Sequence, residues 1–230
     1  MIRRMAILGA AGDLTFRFLL PALAELHEAG RLPDGFEILA LARDDWDTET
    51  YRHHAAEWLD DRASSSSCEA LVAMLEYHRA DVSDREQVAR ALGPLREPVV
   101  AYLALPPAVV APAIETLSGV GLPEGSRIAL EKPFGEDLAS AKNLNRLLHQ
   151  TFPENAVFRV DHFLEMQTVQ NVLGLRFANR VFEPLWSHQH IERSSSTGTR
   201  RLPSRVGHPT TTPPGRSGTW SRTTSCNSCA

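Results

Sequence analysis

Met5-Ala6-Ile7-Leu8-Gly9-Ala10-Ala11-Gly12-Asp13-Leu14 is the stretch that decides the fold. Met5 to Leu8 is a short apolar run of the kind a buried strand presents, and Gly9 closes it. Leu19, Leu23 and Leu26 then recur at helical spacing, so the segment reads as strand, turn and helix. Pro21 predicts a kink or restart inside that helix. Small residues in such a turn let the backbone approach a pyrophosphate, whose charge the amides at the helix start can bind. Gly-x-x-Gly alone is equally compatible with a plain tight turn. Its place directly between strand and helix favours the nucleotide reading.

Outward from this stretch, strands and helices alternate. Phe36 to Ala42 is the next apolar run, followed by a helix over Thr48 to Leu59. Ser64 to Ser67 reads as a loop, and Cys68 to Glu76 as helical, with Cys68 as a packing residue. Ser83 and Glu86 form a capping box ahead of a helix carrying Val88 and Leu92. Val99 to Ala104 is a buried-strand run that Pro106-Pro107 stops; Arg127 to Glu131 is a strand, Leu138 to Thr151 a helix, and Val157 to Val160 the start of a further strand. This order predicts the α/β class, with a parallel, Rossmann-like doubly wound sheet.

Composition excludes several function classes. With 43% hydrophobic and 23% charged residues the chain is neither disordered nor collagenous as a whole. A formal charge of −4 argues against a nucleic-acid partner, which would need a concentrated basic surface. Three cysteines are too few for a disulfide framework. No run of about 18 apolar residues spans a membrane, and Met5 to Leu8 is too short for a signal peptide, so a cytoplasmic protein is expected. Composition breaks near residue 192. Beyond it come six arginines without Asp, Glu or Lys, amid Ser, Thr, Pro and Gly, and such a tail cannot offset its ordering entropy by burial. Cys226 and Cys229 make a CxxC with no second pair for a metal site. Residues 193–230 therefore read as a disordered, out-of-frame end, with a basic nucleic-acid-binding arm as the alternative.

In a doubly wound sheet, ligands bind beyond the carboxyl ends of the strands, and four edges carry distinctive residues. Gly9, Ala10, Ala11, Gly12, Asp13 and Leu14 follow the first strand. Arg43 follows the second, where an arginine favours a ribose 2′-phosphate and hence NADP; Asp44 and Asp45 would suit a ribose hydroxyl, and a surface salt bridge for Arg43 remains the structural alternative. Ala104 opens an apolar ledge, Ala104-Leu105-Pro106-Pro107, that either faces a cofactor or simply ends a strand. Glu131-Lys132-Pro133-Phe134-Gly135 sets an ammonium at the next edge, with Pro133 holding Lys132 extended. Asp161-His162 ends the series; such a pair binds phosphate or orients a base, or is merely a surface histidine.

Together, Gly9 to Leu20 (GAAGDLTFRFLL), Glu131 to Leu138 (EKPFGEDL), Arg159 to Leu164 (RVDHFL) and Thr168 to Trp186 (TVQNVLGLRFANRVFEPLW) resemble the glucose-6-phosphate dehydrogenase family. The resemblance runs from about Met5 to Glu192. It implies an NADP-binding domain over 1–157, the incomplete start of an α+β substrate and dimerisation domain over 158–192, and then the tail. It also implies NADP-dependent oxidation of glucose 6-phosphate in the oxidative pentose phosphate pathway, with a small sugar phosphate as partner and a homo-oligomeric full-length parent. Carried over residue by residue, Gly9 to Arg17 would cradle the pyrophosphate, Arg43 would meet the 2′-phosphate, and Asp81, Val82 and Ala104 would border the adenosine and nicotinamide. Lys132 would touch both cofactor and sugar. His162 would bind the substrate phosphate, and Asp161 would orient a histidine base that has no counterpart in this chain. No metal is implied.

The chain departs from the family in two places. Phe163, Leu164, Glu165 and Met166 stand where the family has Tyr, Leu, Gly and Lys, which removes a phenol and an ammonium from the phosphate site. Phe18 stands where the family commonly has a basic residue in its first helix. The expectation is a truncated, inactive glucose-6-phosphate dehydrogenase. The alternatives are a paralogous NADP-dependent sugar dehydrogenase of altered substrate, or a non-catalytic NADP-binding module. The helix over Thr168 to Phe177 would show Val169, Val172 and Leu173 on a face without a partner sheet.

Overall fold

Arg4–Leu8 forms β1, and Ala6, Ile7 and Leu8 are fully buried, as a strand covered on both faces requires. β1 lies at the centre of a six-stranded sheet in the computed structural model, which describes residues 2–59, 65–187 and 189–191. The other strands are β2 (Glu37–Ala42), β3 (Leu75–Arg79), β4 (Val99–Leu103), β5 (Arg127–Glu131) and β6 (Val157–Val160). All pairings are parallel and the order is β3-β2-β1-β4-β5-β6, the doubly wound, Rossmann-like arrangement.

Successive strand residues point to opposite faces, and the core divides accordingly. Ala6, Leu8, Leu39, Leu41 and Leu103 pack with Val88 and Leu92 of α4 (Arg85–Leu92), Ile114 and Leu117 of α5 (Pro107–Val120), and Leu148 of α6 (Leu138–Thr151). Met5, Ile7, Ile38 and Ala40 pack with Leu20 and Leu23 of α1 (Leu20–Glu28), Tyr51 and Ala55 of α2 (Thr48–Leu59), and Leu71 of α3 (Ser65–Ala73). Right-handed crossovers explain the division: the chain steps one way from β1 to β3 and the other way from β4 to β6.

The structure differs from the sequence reading at several elements. Helical structure ends at Ala73 rather than reaching Glu76, and Leu75–Arg79 is a strand; Leu75 and Tyr77 are buried while Glu76 is exposed, a period of two hidden behind an apolar stretch. Ser65, Ser66 and Ser67 belong to α3 rather than to a loop, and Ser64 lies outside the described residues. Pro106-Pro107 does more than stop β4: Pro107 opens α5, a helix the sequence reading lacks, because a first-turn proline sacrifices no intrahelical donor. Pro112 inside α5 masks its pattern. Pro21 sits in the first turn of α1, which follows a wider π-helical turn over Thr15–Leu19. Asp84, not Ser83, caps α4: its carboxylate accepts from the amides of Glu86 (2.9 Å) and Gln87 (3.1 Å). Those bonds, that from Gln87 foremost, hold the Asp84 carboxyl below its ordinary range.

The chain divides into two compact units after Asp161. In the second, His162–Glu165 forms one 3-10 turn and α7 spans Gln167–Phe177. No α7 residue is buried, and Val172, Leu173, Leu175 and Phe177 are exposed, as are Val181 and Phe182 beyond it. Residues 193–230, with the tail reading and the Cys226/Cys229 pair, lie outside the described residues, as do the side chains of Phe163 and Glu165. Asp84→Ala should lower the melting temperature by roughly 2–4 °C, the loss expected for a helix N-cap. Ser83→Ala, followed by the same thermal melt, should leave it unchanged.

Candidate active site at the carboxyl edge of the sheet

The order of strands reverses between β1 and β4, and the crevice above such a point is where open α/β sheets bind ligands. Gly9 follows β1 there with φ +88°, and a Cβ built on it would lie 2.3 Å from the Ala104 carbonyl oxygen at the end of β4. Only glycine fits, on both counts. The Ala104 amide donates to the Leu8 carbonyl (2.9 Å), which closes the two strand ends together. On the other flank the Leu41 carbonyl of β2 accepts from both Gly9 (2.9 Å) and Ala10 (3.0 Å). The Gly12 amide returns to Gly9 O (3.1 Å), and the helix beginning at Asp13 opens at the end of this turn. The Thr15 and Phe16 amides return to Gly12 O (3.0 and 3.4 Å), which leaves the amides of Asp13 and Leu14 as the donors that the helix start presents.

Arg43 lies two residues beyond Leu41 and is exposed. Asp45 is engaged from β3 through its carboxylate and Asp44 through its backbone carbonyl. Arg79 pairs with Asp45 at 2.6 Å, and the Tyr77 hydroxyl donates to the Asp44 carbonyl at 2.8 Å. Among the described residues Arg43 itself forms no ion pair. Beneath the turn, the buried Tyr51 hydroxyl donates to Ala10 O (3.1 Å) and its ring stacks on Tyr77 at 5.0 Å. Burial pushes the Tyr51 phenol well above its ordinary range, with Tyr77 adding to the effect. Burial, then the nearby Asp44, raises Tyr77 to about 12. Both rings are therefore fixed donors. Asp13 and Arg17 pair at 3.5 Å on the surface of the first helix. Asp81 follows β3, and its carboxylate accepts from the Ser83 amide (2.9 Å), while the Val82 side chain is buried in the core and leaves only its backbone for a ligand.

At the edges of β5 and β6, Lys132 Nζ lies 3.2 Å from Asp161 Oδ1. The Lys132–Pro133 peptide is cis, which the sequence reading does not anticipate. The Tyr102 hydroxyl, on β4, donates to Glu131 Oε1. His162 is exposed and opens the second unit. A cavity of ≈ 560 Å³ lies between α5 and α6, and its lining includes none of Gly9, Arg43 or Lys132. Tyr51, Tyr77 and Tyr102 are absent from the sequence reading because nothing in their spacing separates them from core residues.

Residues 6–171 match the family model described as glucose-6-phosphate dehydrogenase, NAD binding domain. This chain belongs to the glucose-6-phosphate dehydrogenase family. Its sheet is thus the nucleotide-binding domain of a dehydrogenase family. The chain is 37% identical over 218 residues to the glucose-6-phosphate 1-dehydrogenase of Zymomonas mobilis, with 90% of this chain and 45% of that protein covered. Among solved structures, glucose-6-phosphate 1-dehydrogenase from Mycobacterium avium superposes with a TM-score of 0.71 at 32% identity, over 82% of this chain and 42% of that one. A glucose-6-phosphate dehydrogenase solved in complex with its substrate glucose-6-phosphate gives 0.70 at 29%, over 81% and 42%. The chain therefore spans less than half the length of these glucose-6-phosphate dehydrogenases. Among the described residues no helix is long and apolar enough to cross a membrane.

Gly9→Ala should destabilise the fold by more than the roughly 1–3 kcal/mol of a strained non-glycine conformation, because the methyl group also meets Ala104 O. Gly30→Ala, where nothing lies near the added Cβ but φ is likewise positive at +64°, isolates the conformational part; denaturant melts of both variants separate the two costs.

Proposed function

We propose that this chain is the NADP-binding part of a cytoplasmic glucose-6-phosphate dehydrogenase, whose full-length parent is a homo-oligomer acting on a small sugar phosphate. The observation that carries the cofactor reading is the Leu41 carbonyl, which accepts from the Gly9 and Ala10 amides and so sets the Gly-rich turn beside exposed Arg43. The residues fit an anionic dinucleotide. Gly9 leaves no room for a side chain, the helix-start amides of Asp13 and Leu14 follow it, and Arg43 forms no ion pair among the described residues, with Asp45 engaged by Arg79. In this reading Gly9 to Arg17 hold the pyrophosphate, Arg43 meets the 2′-phosphate, and Asp81, Val82 and Ala104 border the remaining rings. When bound, NADP supplies the hydride acceptor.

Lys132 meets cofactor and sugar, with Asp161 steadying its ammonium, and His162 meets the substrate phosphate. Phe163 and Met166 supply neither the phenol nor the ammonium that the family's phosphate motif carries, and each charge-assisted bond to phosphate contributes about 1.5–3 kcal/mol, so sugar-phosphate binding is weak. With Asp161 present but no histidine matched to the base, the 230-residue chain binds cofactor without turning over substrate.

Calorimetric titration of the chain with NADP and with NAD tests this. NADP should saturate and bind more tightly than NAD. Arg43→Ala should weaken NADP by about 10- to 150-fold and leave NAD within twofold, the loss expected for one charge-assisted contact. Equal affinities for both dinucleotides before and after the substitution would remove the basis of the reading. Formation of NADPH from glucose 6-phosphate by the unaltered chain would overturn the claim of binding without turnover.

A further inference from the structure

We propose that Tyr77 is a positioning residue that sets the preference for NADP over NAD, because its hydroxyl holds the backbone immediately after Arg43. The proposal rests on the reading of Arg43 as the partner of the 2′-phosphate. Arg43 stands just past the end of β2, in a bend over residues 43–45. The chain is held on both sides of it. Before it, the Ala42 carbonyl accepts from the Ala80 amide at 2.7 Å. After it, the Asp44 carbonyl accepts from two donors, the Tyr77 hydroxyl (2.8 Å) and the Trp46 amide (2.9 Å). The segment that begins with β3 therefore grips both flanks of Arg43, once through its backbone and once through Tyr77.

Only the second grip depends on a side chain. The far end of the loop is closed by the Tyr77 backbone, whose amide donates to Thr48 Oγ1 (3.1 Å) and whose carbonyl accepts from the same hydroxyl (3.3 Å) at the start of α2. The Tyr77 ring is placed by its stack on Tyr51 (5.0 Å) and by Trp46 (6.1 Å), which packs in turn on His54 (4.7 Å). With burial and then Asp44 raising its phenol to about 12, Tyr77 donates at any pH near neutrality. The remaining contact from β3, Arg79 with Asp45, joins two exposed side chains, and such pairs fix little. The two stacked phenols thus divide the work in the cofactor reading. Tyr51 donates to Ala10 O in the Gly-rich turn, which meets the pyrophosphate common to both dinucleotides. Tyr77 donates to the carbonyl beside Arg43, which meets only the 2′-phosphate.

Tyr77→Phe removes one oxygen, keeps the stack and leaves the backbone bonds to Thr48 in place. In the unliganded chain, hydrogen exchange of the Trp46 amide, which shares the Asp44 carbonyl, should quicken by about three- to tenfold, as one lost bond eases local opening. In calorimetric titrations NADP affinity should fall by about three- to tenfold and NAD affinity stay within about twofold. Tyr51→Phe should weaken both dinucleotides by the same factor. With Arg43→Ala already present, adding Tyr77→Phe should weaken NADP no further. The proposal is overturned by an unchanged Trp46 amide, by an equal loss of NADP and NAD in Tyr77→Phe, by an NADP-selective loss in Tyr51→Phe, or by an undiminished loss in the Arg43→Ala background. A cooperative melt for each variant verifies the fold. Failure of the cofactor reading looks different: Arg43→Ala itself then leaves the ratio of NADP to NAD affinity unchanged. A selective loss in Arg43→Ala with none in Tyr77→Phe rejects the role of Tyr77 alone.

Discussion

One carbonyl group organises the edge of this sheet. Leu41 O accepts from two consecutive amides, those of Gly9 and Ala10, and this forked bond is what turns the chain away from β1 at the height where β2 ends. The turn is possible only because Gly9 adopts φ +88° and leaves space that the Ala104 carbonyl fills. Both flanks of β1 are therefore committed, to β2 through Leu41 and to β4 through Leu8 and Ala104. Everything proposed for the nucleotide depends on that placement. So does Arg43, which inherits its position from Leu41.

Charge at this edge is arranged by subtraction. Arg43, Asp44 and Asp45 are consecutive, and sequence alone leaves open which of them faces a ligand. On β3, Arg79 engages the Asp45 carboxylate and Tyr77 the Asp44 backbone carbonyl. The exposed Arg79–Asp45 pair adds little stability by itself. In the proposed cofactor reading it takes up one of the two acids that follow Arg43.

The parallel sheet was legible because β1, β2, β4 and β5 are near-continuous apolar runs, the signature of strands buried on both faces. β3 was not, because Leu75–Arg79 carries Glu, His and Arg and lies at the end of the strand order, where its alternation is short and half polar. α5 was hidden by prolines that act as breakers in a pattern but are tolerated in a first turn, and Pro112 compounds the disguise. At the site, backbone features were readable from Gly9 and Gly12, since glycine announces a conformational need. Side-chain partnerships such as Tyr51 with Ala10 and Tyr102 with Glu131 join residues far apart in the chain, and nothing in one strand's spacing names its neighbour's contacts.

The Gly9 turn also has a history in time. Its walls come from β2 and from β4, and β4 lies far along the chain from β1, so the turn cannot take its final shape through local pairing alone. Contacts of such long sequence separation form late and cooperatively. A ligand that recognises the finished turn then meets only fully assembled molecules, and its binding draws on the stability of the whole sheet rather than on that of a loop. Occupancy and global unfolding become two views of one equilibrium in this unit.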